Sequence, residues 1–414
     1  MPASPPAPAQ SPPATTAMPS TVRRLAWLHA ANDFSLDFLS PLLPAVVPVA
    51  WLGLMEGVAD ALAQLLKLVT GRASDASGHR AGWVRAGYGT NALARPLAAV
   101  GVALAWPAAI VACRLLDRFG KGLRGSASDA LVADWVDAGG RARAYAHLRT
   151  MDHIGATAGA AAAAAVCWAL ALDTAQRGAL SWTIAALLLP TALMLWWCRG
   201  LKDHPQAAPR GAVTAGWWPS DRRLRLPLIT IGCAGVGAKI APLLVLVQLA
   251  GIPGSAAGER APGAWPLWAV CLAWGGLSLV QAAAASLAGA VTERLGARLF
   301  LFAGWLASAA LLAALSVAGG GWLIAAGAAW AAIAGVSEGA EKTWLAELAP
   351  QQERALAFGA LGVVTAAAML LGNSAVGYGL AALGPRIFLL PVAGLLLACM
   401  LLLVSARRAA PSPE

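Results

Sequence analysis

Charge is scarce in this chain: only 12% of its 414 residues are Asp, Glu, Lys or Arg, about half the share of an average soluble domain. With 59% hydrophobic residues and a mean hydropathy of +0.65, that shortage excludes both a soluble globular fold and a charge-rich disordered chain. The six cysteines (Cys113, Cys167, Cys198, Cys233, Cys271 and Cys399) form no CxxC pair and no metal-ligand spacing. They read as buried thiols, not as a disulfide framework or a zinc site. There is no HExxH, and Gly120-Lys121-Gly122 has neither the spacing nor the Ser/Thr of an ATP-binding loop, so no catalytic residue, cofactor or metal is expected. The net charge of +10 comes with no compact Lys/Arg block interleaved with aromatics, which argues against a nucleic-acid surface.

What is abundant is apolar sequence in long runs. About 20 residues are needed to cross a hydrocarbon core of roughly 30 Å. Runs of that order recur at 24–49, 53–70, 83–105, 106–126, 146–172 and 178–198. A second set follows at 226–250, 265–290, 299–318, 322–344, 355–381 and 386–405. The 106–126 run carries Arg114, Asp117, Arg118 and Lys121, each of which costs about 2.5–3.5 kcal/mol at the midplane. It is kept as a span because it makes the count even and puts both termini on one side. Seventeen basic residues then fall in loops and tails on that side, against three (Arg177, Arg260 and Arg386) on the other. The positive-inside rule makes the richer side cytoplasmic. The expected organisation is a disordered tail over 1–22, a six-helix bundle over 23–198 and a basic cytoplasmic linker over 199–225. A second bundle over 226–406 and a tail over 407–414 complete it.

The two sets share an internal repeat. Gly71-Arg-Ala-Ser-Asp75-Ala-Ser-Gly78-His79-Arg80 follows the second run, and Gly289-Ala-Val-Thr-Glu293-Arg294-Leu-Gly296-Ala-Arg298 follows the eighth, 218 residues later. Both read G-xxx-[acid]-xx-G-x-Arg, the mark of a duplicated six-helix unit. The expected fold is an all-α integral membrane protein, twelve transmembrane helices as two pseudo-symmetric six-helix bundles. The glycines permit a tight turn, and Asp75 or Glu293 can accept hydrogen bonds from a helix N-terminus or an arginine. Such pairs would latch the halves in one conformation and release them in the other.

These paired loops resemble the cytoplasmic signature of the major facilitator superfamily, between its helices 2 and 3 and, more weakly, 8 and 9. Arg118-Phe-Gly-Lys121-Gly122 is similar to its fourth-helix motif, with Lys in place of Gln. A bacterial subgroup is resembled more narrowly by Arg114, Asp117-Arg118, Gly120-Lys121-Gly122, Arg124 and Asp129-Ala130-Leu131, together with Asn32-Asp33-Phe34, Pro41 to Pro44 and Glu338-Gly-Ala-Glu341-Lys342. The chain departs from it at Ala76, at Ala127-Ser128 and at Gly159-Ala160, where a Gly-Pro associated with antiporters usually stands. The resemblance implies a monomeric transporter of the bacterial cytoplasmic membrane, with a small-molecule substrate, protons and the lipid bilayer as its partners.

Charges inside the runs carry the sharper inference. His29, Asp33 and Asp37 recur at every fourth residue, as do Glu56, Asp60 and Gln64, with Lys67 continuing the second stripe. In the fourth run Arg114, Asp117, Arg118 and Lys121 share a face, with Asp117 able to pair with the bases at i−3, i+1 and i+4. Arg149, Asp152 and His153 repeat the pattern in the fifth. None of these can face lipid cheaply, so together they are expected to form one buried network around a cavity. Six acids lie in the first half's runs against Glu338 and Glu341 in the second, which points to proton coupling in the first half. Asp33 and Asp37 resist simultaneous ionisation in a dry cavity. Asp37, nearer the midplane, is the first choice for the coupling site, and Arg118 the cation that would displace its proton. Lys239, Gln281, Glu338 and Asn373 are candidates to touch substrate, Lys239 either by attracting an anionic group or by pairing with a residue such as Glu338. Trp274, Trp305 and Trp330 are candidate cavity aromatics, whereas Trp51, Trp106 and Trp196 fit an interfacial belt.

Three functions remain open from the sequence: proton-coupled export of a small organic solute by alternating access, proton-coupled uptake by the same fold, and a non-transporting solute sensor or assembly partner.

Overall fold

Proline and glycine decide where the helices start and stop. The computed structural model describes the backbone of residues 18–172, 176–205, 218–219, 221–251, 264–317, 322–349 and 354–409. Helix α1 (Ser20–Leu39) gives way to a 3-10 turn over Ser40–Ala45, where Pro41 and Pro44 cannot supply the amides an α-helix needs. The first span, expected to reach residue 49, is therefore shorter. Helix α2 (Val49–Ser77) runs past its expected end at 70 and stops at Gly78, whose φ of 69° suits glycine and whose amide closes on the Ser74 carbonyl at 3.0 Å. Helices α3 (Arg80–Ala103), α4 (Pro107–Trp135) and α5 (Ala138–Ala169) follow.

The sixth and seventh expected spans are each broken. Pro190, which has no amide to donate to the Ala186 carbonyl, separates α6 (Arg177–Ala185) from α7 (Leu188–Cys198). Pro242 likewise separates α8 (Arg225–Ala238) from α9 (Pro242–Leu249), leaving Lys239 at the break. The rest are α10 (Leu267–Leu295), α11 (Ala297–Val317), α12 (Trp322–Leu348), α13 (Arg354–Leu383) and α14 (Leu389–Ala409). Among the described residues, six stretches are apolar and long enough to cross a bilayer by composition alone. Neither α4 nor α5 is among them, because charge interrupts their apolar runs.

Small residues bring the helix axes close. Within the first bundle (α1–α7), Gly155 and Gly159 of α5 sit on the backbone of α1; a Cβ there would stand 2.2 Å from the Ala30 carbonyl oxygen and 2.1 Å from that of Phe34. The first bundle meets the second (α8–α14) chiefly where α2 packs on α13 and α5 on α10. Gly53 of α2 is in backbone contact with α13: its Cβ would lie 2.4 Å from the Asn373 carbonyl oxygen and 2.5 Å from the Gly377 Cα. The two bundles are thus closed against each other at the end that holds the α1–α2 turn.

Trp305 and Trp330 are fully buried in the apolar core, so they do not line a cavity as expected. Trp51, Trp106 and Trp196 are more than half exposed, as an interfacial belt requires.

The two kinds of glycine contact should respond differently to added bulk. Gly159→Val forces α1 from α5 inside one bundle and should sharply lower folded yield. Gly53→Val obstructs only the contact between bundles. It should leave yield near normal while exposing a cysteine placed at Leu43, which is 2% exposed in this state, to a membrane-impermeant thiol reagent.

Candidate functional site

A charge in the interior of a bilayer is tolerable only beside an opposite charge or a watered cavity. Glu56 and Asp60, one turn apart on α2, face Arg114 and Arg118, one turn apart on α4. Arg114 donates through Nε and Nη2 to the two Glu56 oxygens at 2.7 and 2.9 Å, a bidentate pair. Its Nη1 points at the Ser40 hydroxyl at 3.5 Å. Arg118 reaches Asp60 at 3.1 Å and Glu56 at 3.6 Å. The stripes read from the sequence therefore meet as a ladder between two helices.

Asp117 does not join that ladder. At 100° per residue its side chain turns from α2 toward α3, where Arg95 meets it at 3.3 Å with each side chain only 2% exposed. The expected partners of Asp117 within α4 are replaced by one on another helix. Arg95 is the residue that sequence reasoning missed, although a lone arginine in an apolar run was signal enough.

On α1 the stripe divides among three helices. His29 bonds Asp152 of α5 at 2.7 Å through Nδ1 and the Ser128 hydroxyl of α4 at 3.1 Å through Nε2. Arg149 lies 3.7 Å from Asp152, yet its side chain is 76% exposed, and Lys121 is exposed too. Arg149 thus stands at the rim of the buried charges, whereas Lys121 keeps Arg118, Lys67, Asp33 and Asp60 within electrostatic range. Asp33 accepts from the Asn32 amide at 2.9 Å, and Asn32 pairs at 2.9 Å with Asn91 of α3. Asp37, half-buried, accepts from the indole Nε1 of Trp274 at 2.7 Å. Since Trp274 is on α10, this hydrogen bond crosses from one bundle to the other.

In the second bundle Lys239 sits 2.9 Å from Glu341 of α12; the Glu338 side chain lies outside the described residues. The Asn373 side chain is buried and accepts from the Ala241 amide at 2.6 Å, so it satisfies backbone freed by the α8–α9 break. Gln281 is half-buried on α10. Gly335-Val-Ser337-Glu338-Gly339 matches the letters of a nucleophile elbow. That motif requires a strand-to-helix turn, and here it lies inside α12.

The signature loop ties helices within one bundle. Arg80 bonds Asp75 at 2.9 Å, Asp134 and the Ala130 carbonyl, joining α2, α3 and α4, while Gly71 of α2 packs on Ser126 of α4. The α3 N-terminus is capped by Asp203, which accepts from the Ala81 amide at 2.7 Å, where Asp75 was a candidate. In the second copy the side-chain surroundings of Gly289 and Glu293 lie outside the described residues. Arg294 is exposed, Arg298 is half-buried and Gly296 takes a φ of 77°.

No family model matches the chain. Proteins of Mycobacterium tuberculosis and Mycobacterium bovis, described only as uncharacterized, are 31% identical over 184 residues. That match spans 40% of this chain and 42% of theirs, so the chain spans about two fifths of the length of the curated relatives it matches. Among solved structures it is similar to the nucleoside transporter NupG, with a TM-score of 0.74 at 11% identity over 93% of this chain and 100% of that one. It is similar also to a peptide transporter POT in complex with sulfate (0.71, 14%, over 95% and 96%). The human organic anion transporter MFSD10 gives 0.63 at 18% identity, over 93% and 100%. The fold is therefore the one these solved transporter structures share, an all-α, multi-pass membrane architecture.

Removing one partner of a buried pair strands the other. Arg95→Leu should cost about 3–5 kcal/mol, read as a large drop in the thermal midpoint of purified protein, and Arg95→Leu with Asp117→Leu should recover most of it. A double variant no more stable than the single would show that the pair is not isolated.

Proposed function

We propose that the chain is a secondary active transporter that moves a small organic solute by alternating access, driven by protons. One observation carries this reading: the Asp37 carboxylate of α1 is bonded to Trp274 of α10 at 2.7 Å, across the seam between the bundles. A group that gains or loses a proton there changes how strongly the bundles hold each other in this state, which is what coupling a proton to a conformational equilibrium requires. Asp33 lies one turn away on the same helix, with a neutral amide as its hydrogen-bond partner. Glu56, Asp60 and Asp117 are already matched by arginine, so they are suited to holding the first bundle rigid while Asp37 titrates.

In this account residues 23–198 and 226–406 move as two bodies joined by the linker at 199–225, in a bacterial cytoplasmic membrane with both termini inside. The solute leaves in exchange for protons. Two features support a moving seam: the bundles touch through bare glycine at Gly53 and Gly377, and the α8–α9 break stands beside the same helix, as broken helices do at transporter sites.

Asp37→Asn mimics the protonated carboxyl. In proteoliposomes it should abolish solute accumulation driven by a pH gradient, to less than about a tenth of the native level, while solute–solute exchange persists. Undiminished concentrative transport by Asp37→Asn would move the coupling role to Asp33, Asp60 or Asp152.

A further inference from the structure

Lys121 is the cation that the ladder leaves over. It stands on α4 three residues beyond Arg118 and is exposed, and among the described residues no carboxylate lies at ion-pair distance from it. Of the acids within its electrostatic range, Asp60 already holds Arg118 at 3.1 Å and Asp33 holds the Asn32 amide at 2.9 Å. Two more cations share its surroundings, Arg118 and Lys67. Lys67 of α2 lies across Gly125, one helical turn past Lys121, so closely that a Cβ at Gly125 would be 3.0 Å from its Cε. An exposed side chain between charges of α1 and α2 looks into the bundle interior, not at lipid.

Arg118, Lys121 and Lys67 repel one another, and a further anion beside them lowers that cost. Arg118 is fixed by Glu56 and Asp60, so part of the site is already oriented before anything binds. Lys239, the other candidate for this role, is held by Glu341.

We propose that Lys121, flanked by Arg118 and Lys67, is the recognition point for an oxyanion, the carboxylate or phosphate of the transported solute. The substrate class is therefore an organic anion. This physiological role rests on the transporter reading, whereas the binding itself does not.

The full chain, purified in detergent at constant ionic strength, tests it without a known solute. Thermal midpoints would be compared in chloride, acetate, inorganic phosphate and citrate. Phosphate or citrate should raise the midpoint a few degrees above chloride in the native protein, with acetate separating carboxylate from phosphate preference. Lys121→Arg and the distant control Arg386→Gln should keep that shift and Lys121→Gln should lose it, with Lys121→Met standing in if the glutamine variant is not recovered. No protection beyond chloride in the native protein would overturn the proposal, as would an equal shift in Lys121→Gln. Protection that depends on Lys121, in a protein that fails gradient-driven transport, would overturn the transporter reading alone. Transport of a neutral or cationic solute indifferent to Lys121→Gln would overturn this proposal alone.

Discussion

The bidentate bond between Arg114 and Glu56 is the interaction on which the rest of the first bundle depends. Each charge alone is costly in a bilayer, and together they are a matched pair whose geometry leaves no free donor on the Nε side. Because Glu56 also meets Arg118, the position of α4 against α2 is set at two points one helical turn apart. That registration in turn aims Asp117 at Arg95 on α3 and leaves Lys121 facing the interior. Three helices are thereby fixed by charge where apolar packing, which lipid tails supply equally well, could not specify them.

Asymmetry between the bundles follows from the same constraint. In the first, side-chain charges define the helix contacts, while the second relies on buried aromatic and aliphatic packing around Trp305, Trp330 and Trp344, with Lys239 and Glu341 as its described interior pair. The first bundle therefore carries the charged and titratable side chains, and the second meets it with Trp274, whose indole donates to Asp37.

The helices were legible in the sequence because apolar length and proline are local properties. Pro41, Pro190 and Pro242 also announce where helices break, although run length alone joined α6 to α7 and α8 to α9. The stripes on α1, α2 and α4 were legible as stripes, since a 3.6-residue period needs no knowledge of neighbours. Their partners were not: which helix lies beside Asp117 is decided by packing among helices far apart in the chain, so Arg95 went unrecognised. The same holds for Asp37, whose partner is 237 positions away, and for Asp203, a linker residue capping α3. Lys121 looked like one more member of a buried stripe because spacing cannot distinguish a charge that is matched from one that is left over.

The central claim is that Asp37 is the titrating carboxyl at the seam and that Trp274 reads its state. Infrared difference spectroscopy of the full chain in bilayers tests this without any solute, by following carboxylic-acid bands as pH is varied around neutrality. The account predicts a titrating band that is lost in Asp37→Asn and shifts in Trp274→Phe, because the indole hydrogen bond changes the carboxyl's environment. A titrating band that is unchanged in both variants would contradict it.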